Sequence, residues 1–221
     1  MIQTGVLFDN IHSFNDLGLI LSSVDIPPAQ PKTTCVDIPG GDGSVDLTEA
    51  HGEVKYSDRK ITFTFTMNPS GGLSEDAWTE KKTEVSNRLN GLKFKITLDK
   101  DPDYYWTGRC TVDGFKSDKR VRQIVVVAVV YPYKLKQAVT TVDSYLTEKQ
   151  QSISISNGRR TVCPEIFVAG SAKVIFNGNT FNFNSGTHKN LNIRFKEGNN
   201  QVIVSGPSDS YIQFNYQEGD L

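Results

Sequence analysis

Ser44, Asp46 and His51 are the residue types of a nucleophile, an acid and a base, gathered within eight positions. Such a set performs acyl transfer only when its geometry converges, and no nucleophile-elbow sequence surrounds Ser44. Asp99-Lys100-Asp101-Pro102-Asp103 matches the opening of a calcium loop. Tyr104 stands where that loop needs glycine, and Cys110 where it needs a bidentate glutamate, so an acidic hairpin tip is the simpler reading. His12, His51 and His188 are far apart and pair with no cysteine at zinc-ligand spacing. Gly40-Gly41-Asp42-Gly43-Ser44 has the glycines of a phosphate cradle, but not its lysine or its following helix, and Asp42 would repel phosphate. Tyr104-Tyr105-Trp106 could stack on a sugar or fill an interface, because neighbouring strand residues face opposite ways. No catalytic residue, metal site or cofactor is expected from these sets.

The elements that must position them are mostly strands. Ile61, Phe63, Phe65 and Met67 alternate with threonines, the period of a half-buried strand. Phe94 to Leu98 repeats the pattern, residues 99–103 read as a turn, and Tyr104 to Val112 as the returning strand. The continuously apolar run Ile124 to Val130 suggests a strand buried on both faces or central in a sandwich. One helix of about 16 residues is predicted from the N-cap Ser74, with Trp78, Val85, Leu89 and Leu92 as its apolar stripe and Gly91 at its stop. Residues 135–151 are polar and read as a linker or exposed hairpin. Short strands then return, at Glu165–Val168, Lys173–Phe176, Thr180–Phe183, Leu191–Phe195, Gln201–Val204 and Tyr211–Tyr216, as in a small β-sandwich. The expected division is a first domain over 1–138 and a second over 139–221.

Ile38-Pro39 reads as extended backbone, and Gly40 to Gly43 as a sharp corner, left again through Val45 and Leu47. With no chemistry beside it, such a corner presents backbone or packs against a neighbour. The bulk numbers agree with assembly. Lys+Arg is 24 against Asp+Glu 25, which excludes the strong basic excess of a nucleic-acid or membrane-surface protein. Three scattered cysteines are no disulfide framework. The start carries no signal-peptide pattern and the longest apolar run is far too short to span a bilayer, so a soluble protein made in a cytoplasm is expected.

Phe8, Ile11-His12-Ser13 and Asp16-Leu17-Gly18-Leu19 near the start, Ile38 to Leu47, Tyr56 to Ile61, Tyr105 to Arg109 and Tyr131-Pro132-Tyr133-Lys134 carry a family resemblance. So do Pro164-Glu165-Ile166, Phe195 to Asn200 and Phe214 to Leu221 in the second half. Together they resemble the distal tail proteins of siphophages and prophages of Gram-positive bacteria, across nearly the whole chain. Gly41 departs from that pattern, where a basic residue is more usual.

The resemblance implies a mainly β chain: an N-terminal β-sandwich with one flanking α-helix, related to tail-tube proteins, and a C-terminal galectin-like β-sandwich. It implies a virion structural protein of the tail tip, made in the bacterial host cytoplasm, whose six copies close into a hexameric ring. That ring would join the tail tube protein to the baseplate, the tail hub with its tail-associated lysin, and the receptor-binding protein used in host attachment. The tape measure protein and DNA would pass through its lumen, DNA only as cargo, with no membrane partner. On this reading Ile38, Pro39, Gly40, Gly41, Asp42, Gly43 and Asp46 lie at the subunit interface. Asp99, Asp101 and Asp103 face the lumen. The alternative is a glycan-binding, lectin-like sandwich, for which His188, Asn190, Asn192 and Arg194 alternate along an expected strand.

Overall fold

Alternating burial along two long strands sets the first layer. In a computed structural model describing residues 5–50, 52–67, 74–117 and 121–221, β6 (Arg59–Met67) buries Ile61, Phe63, Phe65 and Met67 and turns its threonines outward. Its antiparallel neighbour β9 (Arg122–Val130) buries Ile124, Val126, Ala128 and Val130. Val129 on the opposite face is 42% exposed, so the continuous apolar run is not covered on both sides. The run length misleads because three extra valines occupy an outer face that hydropathy alone cannot identify.

The chain divides into two compact units, Met1–Lys134 and Leu135–Leu221. In the first, β1 (Val6–Phe8), β2 (Ile11–His12), β3 (Leu19–Asp25), β7 (Lys93–Leu98) and β8 (Asp101–Ser117) join β6 and β9. They form one antiparallel path ordered β2-β1-β7-β8-β9-β6-β3. β1 and β6 are separated by three strands in that order, yet the Phe8 ring meets Phe63 at 5.9 Å and Phe65 at 6.4 Å. The sheet therefore folds over on itself, and its two layers close on one aromatic core. β8 runs five residues beyond the expected Val112, kinked by a bulge between Val112 and Gly114.

The helix α1 (Glu75–Leu89) starts on Ser74, whose hydroxyl accepts from Ala77 N at 3.2 Å, and Arg122 donates to the Ser74 carbonyl at 3.0 Å. Trp78, Val85 and Leu89 are buried. Leu92 is not part of the stripe: Gly91 takes φ +77, the chain leaves the helical path, and Leu92 is 48% exposed.

In the second unit, β11 (Thr140–Tyr145) and β12 (Gln151–Asn157) occupy part of the stretch expected as linker. The two strands expected at 165–168 and 173–176 are one, β13 (Glu165–Phe176), bent at Gly170 with φ +89. Its first half pairs with β16 (Tyr211–Tyr216) and its second with β15 (Gly198–Ser205). β14 (Asn179–Lys189) pairs with both halves, after a two-residue turn at Asn177-Gly178 with φ +50 and +78. Phe195 contacts Phe176, Phe214 and Tyr216 at the centre of this unit's core. Leu191–Phe195 is no strand. Asn192 N and Ile193 N turn back to Asn190, Phe195 makes an isolated bridge with Val162, and the buried Asn157 side chain donates to the Phe195 carbonyl as well, so backbone partners are found without a ladder.

Candidate functional site

Residues 38–46 stand apart from both cores. β4 (Cys35–Asp37) and β5 (Ser44–Asp46) form a separate two-stranded sheet, with Asp37 opposite Ser44 and Cys35 opposite Asp46. Every residue from 30 to 47 is exposed. The arm is rooted at its base, where Lys32 N donates to Lys55 O at 2.7 Å and Ser57 N to Gln30 O at 2.9 Å. Leu47 N donates to Thr34 O at 2.7 Å.

At the tip, Gly41 N donates to Ile38 O at 3.0 Å across Pro39-Gly40, and Gly40 has φ +80. Proline at the second turn position and a left-handed glycine at the third are what a type II turn requires. Gly43 is left-handed as well, at φ +75, and a Cβ on either glycine would meet nothing within 4 Å. Within one chain these glycines serve conformation, not close packing. The arm also holds Val36, Ile38, Val45 and Leu47, which are 43–54% exposed. The sequence places Ile38 at an interface and the exit of the corner at Val45 and Leu47. The emphasis on glycine leaves out Val36 and does not join the four into one apolar set, although apolar residues interrupting a Gly/Asp-rich stretch were a usable signal.

The other chemical candidates are taken up by structure. Asp46 accepts a hydrogen bond from Thr48 N at 2.8 Å, and the Thr48 hydroxyl and N–H hold its carboxyl below the usual range. His51 lies outside the described residues. Asp99 accepts from Gly5 N at 2.6 Å and pairs with His12 Nε2 at 3.1 Å. Asp101 pairs with Lys134 at 2.8 Å, and Asp103 is exposed. Among the described residues no group of three or more His, Cys, Asp or Glu side chains could hold a metal ion.

The aromatic triplet presents no exposed ring. Trp106 is buried, Tyr105 lies under Lys95 Nζ at 4.1 Å, and Tyr104 under Lys134 Nζ at 4.2 Å. The polar set for sugar is dispersed too. His188 is on β14, whereas Asn190, Asn192 and Arg194 belong to the segment after it. Asn190 Oδ1 accepts from Asn192 N at 2.9 Å, and Arg194 Nε donates to Leu191 O at 2.9 Å. These side chains shape a loop instead of lining a face.

No protein-family profile matches the chain. No curated protein matches it either. Among solved structures, it is similar to that of SPP1 Dit (gp 19.1) protein, a paradigm of the hub adsorption apparatus in phages infecting Gram-positive bacteria. The match has a TM-score of 0.70 at 14% identity and covers 97% of this chain and 98% of that one. A de novo designed double-stranded β-helix aligns over 37% of this chain, and all of its own, at 18% identity and a TM-score of 0.26, too low to carry an argument. The chain thus has the mainly β fold of SPP1 Dit in both of its units.

Proposed function

We propose that this chain is a structural component of a phage tail tip. In this reading, six copies close into a ring that joins the tail tube to the baseplate and to the receptor-binding apparatus. The observation that carries it is the exposed arm of residues 30–47 on a chain with the SPP1 Dit fold throughout. A hairpin with four exposed apolar side chains gains stability only when another surface covers it. A ring supplies such a surface, because its interface joins two different patches of the subunit and closes by rotation.

In the same reading Ile38, Pro39, Gly40, Gly41, Asp42, Gly43 and Asp46 sit against the neighbouring subunit, and Val36, Val45 and Leu47 join them. The acidic end of the β7–β8 hairpin faces the lumen through Asp103, since Asp99 and Asp101 have partners within the chain. The second unit, as a galectin-like domain, faces outward. The tape measure protein, the tail hub with its lysin and the receptor-binding protein are the partners this placement assigns.

Light scattering of the purified protein over a range of concentrations tests the reading. The expected mass is six times the 24.6 kDa chain, or twelve times it for paired rings. A monomer at every concentration, with no co-purification of tail tube protein, would overturn it.

A further inference from the structure

The outer face of the second unit's sheet carries a constellation that includes none of the residues assigned above to the ring. Side chains of alternate residues on β11, β16 and β13 share this face, because their inward neighbours Ile212, Phe214, Ile166 and Val168 are in the core. The register sets Tyr145 opposite Tyr211, Asp143 opposite Gln213, and Thr141 opposite Asn215. Gln213 lies opposite Phe167 in turn. The result is an aromatic row beside two rows that are polar on β11 and β16, the nearer of them ending in Phe167.

Tyr145 is 75% exposed, and its ring lies 5.3 Å from that of Tyr211 at a tilt of 59°. Two rings so placed offer a π face to solvent and support each other, which lowers the ordering cost of binding. The polar rows are already ordered. Thr141 donates to Asn215 Oδ1 at 2.9 Å, and Asn215 Nδ2 donates to Gln213 Oε1 at 3.3 Å. With its oxygen engaged, Gln213 offers amide N–H donors beside the Asp143 carboxylate, an acceptor. The Tyr211 phenol is held above its usual range, by partial burial first and then by its hydrogen bond to Asp143, so that carboxylate is oriented too.

We propose that this face binds a neutral oligosaccharide. A pyranose ring has an apolar C–H face for the tyrosines, and its vicinal hydroxyls pair a donor with an acceptor, as Asp143 and Gln213 do. Asp143 and Glu165 disfavour an anionic polymer. Three strands, each about 4.8 Å across, and four residue steps of about 3.4 Å give roughly 200 Å². That suits two or three sugar rings, and is far below the roughly 800 Å² per partner of a stable protein interface. A cavity of about 430 Å³ adjoins the face at Asn215, lined also by Arg160, Glu165, Lys189 and Gln217. Its volume lies within the few hundred Å³ usual for small-molecule sites.

The test titrates the full chain, in whatever assembly state it adopts, with neutral tetrasaccharides of glucose, galactose and N-acetylglucosamine, read by calorimetry. At least one is expected to bind saturably. Tyr145→Ala and Gln213→Ala should each weaken it at least tenfold. Both positions are outside the core, so the fold survives, and a far-ultraviolet spectrum verifies this. Asn192→Ala should leave binding unchanged. No saturable binding up to about 10 mM sugar, or binding that survives both substitutions, overturns the proposal. Either result is independent of whether rings form.

Discussion

At the scale of single residues, side chains of chemical type turn out to be held by structure. Cys110 is fully buried, and burial first, then the nearby Asp9 charge, pushes its thiol up to about 12 from an ordinary 9.0. The folded chain therefore keeps the proton more tightly than the unfolded chain does. Its contribution to stability is complete below pH 9 and is lost as pH rises towards 12. The urea midpoint of the first unit should fall over that range. In Cys110→Ala, already weakened at pH 8 by the lost sulfur contacts, the fall should be shallower. Asp99 makes a second case. Because it accepts from Gly5 N and pairs with His12, Asp99→Ala should cost about 1–3 kcal/mol in denaturant unfolding. Asp103→Lys should stay within about 0.5 kcal/mol. In the ring reading it should nevertheless slow DNA ejection, and unaffected infectivity would remove Asp103 from the lumen.

At the scale of elements, the arm is where conformation and assembly separate. Gly40→Val and Gly43→Val force a β-branched residue to φ +80 and +75, where strain is unavoidable although space is open. Neither residue touches a core, so the thermal midpoint should barely move. In the ring reading, the mass by light scattering should collapse to that of one chain. Rings that persist at equal concentration would take the tip out of the interface. The arm's conformation was legible in Pro39, Gly40 and Gly43, because turn chemistry acts within four residues. Its isolation was not, since exposure depends on what the rest of the chain fails to cover.

At the scale of the whole molecule, each unit carries a core of its own, centred on Phe8, Phe63 and Phe65 in one and on Phe195 and Phe214 in the other. We expect each to fold as an independent domain. The second unit includes Leu135 to Lys136. Lys136 N donates to Glu218 O at 3.0 Å, its ammonium pairs with the Glu218 carboxylate at 3.2 Å, and Gln217 donates to its carbonyl. A fragment over 135–221 should therefore unfold cooperatively, at higher urea than one over 139–221. Equal midpoints would show that residues 135–138 contribute nothing to the domain.

The sequence by itself determined what local physics controls. The threonine alternation of β6, the Ser74 cap, the Gly91 stop and the Asn177-Gly178 turn each depend on neighbours a few residues away. Tertiary structure alone decided partnership and exposure. Asp99 meets a histidine 87 positions away, and Thr141 bonds Asn215 across 74. Trp106 is buried while Tyr145 is open to solvent, although both are aromatic residues in strands. Leu191–Phe195 has the composition of a strand, yet turn bonds to Asn190 and a single bridge with the distant Val162 take up its backbone. Periodicity reports which residues share a face, whereas the register of distant strands decides what that face meets.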